Sequence, residues 1–326
     1  MPGRTFPLTE AQEGLWYFQR LDPANPILNT GQYLDLTGPL DVAAFTEAVR
    51  RMAAEAEPLR LRFAETADGP VQWLASDPPL PGCVDLSDET DPEAAALAAM
   101  RADSERPVDL GQGPLAAFTL YRLGPARFFW YQRVHHLATD GFGMVLMTNR
   151  VAELYVALTG GPAAGPALAP LALALEEDAA YRRGEKRSTD AGWWRAAMDG
   201  APEAPSLAPG RTAPAARSFH RARCTVPPAL FSRLTALAEK AGVTWPDALT
   251  ALSAAYATRF AEAPETVVGV PFMGRLGSPA ARVPGMVMNV LPLRAAPDED
   301  RPLASSGFRI GATASPTASG EAHPGG

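Results

Sequence analysis

The chain has 326 residues, 47% of them hydrophobic, enough apolar material for one large or two medium domains. Its formal charge of −7 is spread along the sequence with both signs interspersed, so no partnership with nucleic acid or an anionic membrane is expected. The opening Met1-Pro2-Gly3-Arg4-Thr5-Phe6 lacks the apolar core of a secretion signal and no stretch reaches the length of a membrane span, which predicts a soluble, cytoplasmic protein.

Thr9 with Gln12 predicts a capping box for a helix running through Arg20. Residues 34–37 read as a strand that turns at Gly38, and Asp41 then caps a helix with Phe45, Val49, Met52 and Ala56 on its buried side. Leu59, Leu61 and Phe63 alternate with Arg60 and Arg62 as in a half-buried strand, and Asp68-Gly69 turns into a second strand through Trp73. Cys83 and Cys224 lie far apart and outside any CxxC spacing, which fits a reducing compartment, and both read as buried or incidental. A hairpin follows, with arms at 115–122 and 128–134 joined by Gly124-Pro125.

Residues 142–158 predict a helix, since Met144, Met147, Val151, Leu154, Tyr155 and Leu158 share one face. The segment 160–170, rich in glycine and proline, tolerates no regular element and reads as a hinge between two lobes. Beyond it, helices are predicted at 173–187, 190–199, 228–241 and 245–260, with strands around 218–226, 266–271 and 286–293. His220, in the first of those strands, reads as an ordinary exposed histidine.

The chemistry concentrates in His135-His136-Leu137-Ala138-Thr139-Asp140-Gly141, which holds two of the four histidines. A strand ending at Val134 delivers His136 into a cleft, where a neutral imidazole of pKa about 6.5 can accept a proton from an attacking amine or hydroxyl. Asp140 and Gly141 fall at the N-terminus of the next helix, where free N–H groups and the missing Cβ can face a developing oxyanion. Asp140 itself reads as a structural anchor, capping the helix or pairing with a distant arginine. Two histidines and an aspartate also begin a metal site, but no further histidine, cysteine or acidic cluster completes one. A satisfied structural pair explains His135 better than His136.

Five blocks in order carry a resemblance: Leu8-Thr9-Glu10-Ala11-Gln12-Glu13-Gly14-Leu15-Trp16, Glu57-Pro58-Leu59-Arg60-Leu61-Arg62-Phe63, the HHxxxDG run, Pro271-Phe272-Met273-Gly274-Arg275, and Gly285-Met286-Val287-Met288-Asn289-Val290-Leu291-Pro292-Leu293. From residue 6 to about 295 the chain resembles the condensation domains of nonribosomal peptide synthetases, and looks closest to the one that opens serine-activating siderophore synthetases of the enterobactin type. The resemblance implies an α/β (α+β) fold of two chloramphenicol-acetyltransferase-like lobes in a V, each a mixed sheet with helices. The lobes would be 6–160 and an incomplete 173–295, joined by a linker at 161–172. It implies amide formation between a donor acyl or aminoacyl thioester and an acceptor amine. Both would ride on phosphopantetheine arms of peptidyl or aryl carrier proteins beside an adenylation domain, with no cofactor bound by the domain itself. Carried over, His136 and His135 would form the catalytic pair, with His136 positioning or deprotonating the amine; Gly141 would offer its N–H, and Asp140 would pair with Arg275 across the lobes. Read without the resemblance, Arg275 is equally a solvated loop cation.

Some positions depart from the family pattern. Ala56 stands where many relatives have histidine, and Gly143, where serine is common, is expected to loosen the helix start by roughly 0.5–1 kcal/mol. His135 argues against a cyclising relative, and Ala11-Gln12 against an epimerising one. After Arg294 no apolar period continues, so 296–326 predicts a disordered tail on a truncated domain, whether natural or from a frameshift near residue 300. Such a domain is expected to leave a sheet edge unpaired and to condense slowly or not at all. Two other functions stay open: a stand-alone acyltransferase using acyl-coenzyme A, and a non-catalytic fragment that docks on a synthetase.

Overall fold

Thr5–Pro7 forms a short strand (β1), and Thr9 then opens helix Glu10–Leu21 (α1) in the computed structural model. The capping box is present: Thr9 N–H donates to Gln12 Oε1 at 3.0 Å. The structure describes residues 4–204, 208, 216–218 and 221–296. Strand Asn29–Thr37 (β2) precedes helix Val42–Glu55 (α2), whose first turn is capped by Asp41 accepting from Ala44 N–H at 2.9 Å. Pro58 places Leu59 in a 3-10 turn, Glu57–Arg60, so the strand expected from Leu59 begins two residues later as Leu61–Thr66 (β3). Gly69–Leu74 (β4), Pro81–Asp85 (β5), helix Pro92–Ser104 (α3) and the hairpin Ala116–Gly124 (β6) and Arg127–His135 (β7) follow.

Two sheets result, ordered β1-β4-β3 and β2-β7-β6-β5, antiparallel except for β5 beside β6. Buried along nearly its whole length, β7 serves two cores through alternation of its side chains. Phe128, Trp130 and Val134 join Phe45, Val49 and Met52 of α2 and Met144, Met147 and Val151 of helix Gly141–Leu158 (α4). Phe129 and Tyr131 join Ala96 and Met100 of α3. Each large apolar side chain buried here contributes about 1.5–3 kcal/mol, so the strand carrying the histidines is anchored from both faces.

Backbone contacts divide the chain into two compact units. Among the described residues the first runs from 4 to Arg182 and takes back 216–218 and 273–288; the second holds 183–204, 208, 221–272 and 289–296. The expected hinge at 161–172 therefore belongs to the first unit. Arg150 donates to Gly165 O at 2.8 Å, Glu55 accepts from Leu168 N–H at 3.2 Å, and Leu168 and Leu171 enter the main core. The division falls beside Gly184, which separates helices Leu171–Arg183 (α5) and Glu185–Ala197 (α6) where one helix over 173–187 was expected.

In the second unit, helices Pro228–Lys240 (α7) and Trp245–Phe260 (α8) precede the antiparallel strands Thr266–Phe272 (β8) and Asn289–Ala295 (β9). Residues 221–226 form no strand, contrary to expectation, and His220 and the tail beyond residue 296 lie outside the described residues. Leu230, Leu237 and Tyr256 are exposed apolar positions on α7 and α8. Cys83 and Cys224, expected to be buried or incidental, are both free and exposed. Among the described residues no helix is long and apolar enough to cross a membrane.

Candidate active site

The first unit carries the whole HHxxxDG motif. At the end of β7 the chain turns through His136, Leu137 and Ala138, and Asp140 then caps α4. His135 is 2% exposed. Leu137 N–H donates to its Nδ1 at 3.3 Å, so the ring proton sits on Nε2, which donates to Gln19 Oε1 at 3.2 Å. Gln19 is oriented in turn by its own Nε2, which donates to the carbonyls of Asp22, Pro23 and Asn25 at 3.0, 3.3 and 3.0 Å. Burial, reinforced by His136 and Arg133, pushes the His135 pKa down from 6.5 to about 3. Although sequence reading paired His135 with His136 in catalysis, its nitrogens are spent inside the scaffold.

A pH dependence follows. Between pH 6.5 and about 3 the unfolded chain binds a proton at residue 135 that the folded chain refuses. Stability is therefore fully present above pH 6.5 and is lost as pH falls, by up to about 1.4 kcal/mol per pH unit. Chemical denaturation from pH 7 to 5, above most carboxylate titrations, is expected to show this slope in the wild type and not in His135→Asn. Equal slopes would refute the assignment.

His136 is held differently. Its backbone N–H donates to Leu28 O at 2.8 Å, the residue is half-buried, and its Nδ1 is buried with no hydrogen-bond partner. Among the described residues no carboxylate backs this imidazole through Nδ1 as in a Ser-His-Asp triad. Asp140 cannot fill that role because its carboxylate is already saturated. Gly143, Val287 and Met288 donate backbone N–H groups to it at 2.8, 3.0 and 3.0 Å, and Arg275 Nη2 reaches both oxygens at 2.8 Å.

Arg275 is as deeply committed as Asp140. It is 4% exposed and donates to the carbonyls of Ala280, Val283 and Gly285 as well. The solvated-cation reading therefore fails, and the expected pairing across two lobes is corrected: both partners lie in the first unit, because 273–288 pack back onto it through Ala280 and Val283. The same bonds explain why the last strand starts at Asn289 and not at 286, since two backbone donors serve Asp140 instead of a ladder.

The two glycines of the helix start differ in kind. A Cβ on Gly141 would meet nothing within 4 Å, so the free protein does not require glycine there. Gly141 and Phe142 are the N–H groups of α4 that precede its capped ones, which leaves them available to a ligand. A Cβ on Gly143 would come within 2.2 Å of Thr139 Oγ1 and 2.9 Å of Pro284 O, so this glycine is a close-packing requirement and not a loosened helix start. Gly143→Ala is expected to destabilise the first unit by about 1–3 kcal/mol. Hydrogen exchange should rise at 284–288 in the variant, and unchanged protection there would refute the packing argument.

The site also uses Gln19, which motif reading missed, and Gln12, which it quoted only as a helix cap and as part of the first block. Gln12 Nε2 donates to Leu137 O at 3.0 Å, and Gln12 and Gln19 are buried with Trp16 on one face of α1. The available signal was polar residues at helical spacing among apolar ones. A cavity of about 630 Å³ bordered by Trp16, Gln19, Phe63 and Leu110 has neither His136 nor Gly141 in its walls. Among the described residues no three His, Cys, Asp or Glu side chains converge as a metal site requires.

A half-buried histidine whose Nδ1 has no partner, followed by a helix start with uncapped N–H groups, on a mixed α/β scaffold, is an arrangement suited to acyl transfer. The sequence profile of the Condensation domain family matches residues 3–314, and the chain belongs to that family. Over 291 residues it is 44% identical to the dimodular nonribosomal peptide synthase of Bacillus subtilis (strain 168), covering 89% of this chain and 12% of that protein. Enterobactin synthase component F of Escherichia coli (strain K12) is 34% identical over 88% of this chain and 22% of its own length. Among solved structures, the starter condensation domain of rhizomide synthetase in complex with C8-CoA and Leu-SNAC is 34% identical with a TM-score of 0.80, over 90% of this chain and 66% of that one. The first condensation domain of the calcium-dependent antibiotic synthetase, in complex with a substrate analogue, has a TM-score of 0.77 at 33% identity over 93% and 72% of the two chains. The fold expectation thus holds: helices and mixed sheets of the chloramphenicol-acetyltransferase-like kind. The chain spans about an eighth of the Bacillus relative and about two thirds of the rhizomide synthetase domain.

Proposed function

We propose that this chain forms an amide between a thioester donor and an amine acceptor, each delivered on the phosphopantetheine arm of a peptidyl or aryl carrier protein in the cytoplasm, beside an adenylation domain. The amine nitrogen attacks the thioester carbonyl, the C–N bond forms as the C–S bond breaks, and the amine proton leaves with the departing thiolate as a thiol. His136 holds or accepts that proton. The Gly141 N–H supports the charge that develops on the carbonyl oxygen. His135, Asp140 and Arg275 fix the geometry without touching substrate.

The observation that carries this reading is the contrast inside the motif: Asp140 and His135 have their polar atoms engaged, whereas His136 Nδ1 has no partner. A second reading, a donor carried on coenzyme A, draws support from the similar starter domain solved with C8-CoA. Mixing the chain with an acyl-loaded carrier and an aminoacyl-loaded carrier, and reading intact mass, is expected to give the condensed product on the acceptor arm. Product from acyl-coenzyme A alone would favour the second reading. No product with either donor would leave a docking fragment.

A further inference from the structure

We propose that Gln19, together with Gln12 on the same face of α1, is a positioning residue for His136; this rests on the acyl-transfer reading above. The two amides stand seven residues apart, about two helical turns, and grip the chain on either side of the reactive histidine. Upstream, Gln19 Oε1 accepts from the ring of His135. Downstream, Gln12 Nε2 donates to Leu137 O.

Each grip is itself held. Gln19 is anchored by its three bonds to the carbonyls of residues 22, 23 and 25. Gln12 exchanges bonds with the buried Gln72, whose Nε2 donates to Gln12 Oε1 at 2.8 Å and to Pro7 O at 3.0 Å. The loop that Gln19 braces leads directly to Leu28, whose carbonyl accepts from the His136 backbone N–H. His136 therefore has both neighbours and its own backbone fixed from α1 and the segment behind it, while its ring Nδ1 has nothing to hold it. Orientation that a triad obtains from a carboxylate on the imidazole is obtained here from the main chain beneath it. Gln19 borders the 630 Å³ cavity, and its amide is held by hydrogen bonds on both its oxygen and its nitrogen.

The test follows the histidine rings by nitrogen NMR in the full chain, which holds four histidines, alongside turnover with loaded carriers. In the wild type His135 is expected as the neutral Nε2–H tautomer with a slowly exchanging ring proton. Gln19→Met and Gln12→Met are each expected to shift and broaden the His136 signals and to lower kcat about 10- to 100-fold, with KM within about twofold. Arg150→Met, which breaks the buried pair with Glu55, serves as a control that lowers Tm and leaves the His136 signals in place.

If both glutamine variants lower Tm as the control does while His136 signals and kcat stay at wild-type values, the proposal is overturned. A wild-type His135 seen as the Nδ1–H tautomer or as a cation at neutral pH overturns it without any variant, should the glutamine variants fail to fold. Shifted His136 signals in a chain that makes no amide would support the clamp and sink the acyl-transfer reading instead.

Discussion

Arg275→Met is expected to destabilise the first unit by about 3–5 kcal/mol, the range for removing one partner of a buried ion pair. The loss is large because the guanidinium serves four groups at once: the Asp140 carboxylate and the carbonyls of Ala280, Val283 and Gly285. Without it three carbonyls lose a donor, and a carboxylate 1% exposed keeps only backbone N–H partners. Opening should be local before it is global, so hydrogen exchange is the suitable probe, with faster exchange at 284–288 and in the first turn of α4. A variant with wild-type protection in both places would show that the pair is not what fastens this segment.

His136→Ala is expected to reduce amide formation by roughly 10²–10⁴-fold, the usual contribution of a positioned general base. Its effect on stability should be within about 0.5 kcal/mol, since the side chain is half-buried and its Nδ1 gives up no hydrogen bond. The fall should appear in kcat and not in carrier binding. A variant that keeps its turnover would move the chemistry to another group, and one that loses its fold would make His136 structural after all.

Local chemistry made much of the fold legible. Thr9 with Gln12, Asp41 ahead of Ala44, and the hairpin around Gly124 each announce an element whose bonds close within a few residues. Helix Pro92–Ser104 was missed although Asp91 and Pro92 form a good start, because its alanine-rich face buries only Ala96 and Met100 and shows little period. Strand Pro81–Asp85 was hidden by the prolines around it and by its mostly exposed pattern. The tie of 160–170 to the first unit depends on Glu55 and Arg150, far away in sequence, which no reading of a Gly/Pro-rich segment can supply.

The site divides in the same way. Spacing placed His136 at a strand end and Asp140 at a helix cap, where the structure has them. The anchoring of Asp140 by its helix and by Arg275 was legible, but the other bonds were not: Gln19 takes His135, and the 287–288 backbone joins Arg275 on Asp140. Arg275 could be suspected from a motif but its burial could not, since that arises from 273–288 folding back onto the first unit.

The most direct test of this division of labour compares His136→Ala, His135→Phe and Asp140→Asn in one single-turnover assay by intact mass, with thermal melting of the same preparations. The account predicts that His136→Ala alone melts like the wild type and yet forms condensed product roughly 10²–10⁴-fold more slowly, while the other two lower Tm. Condensed product from His136→Ala at the wild-type rate would contradict it.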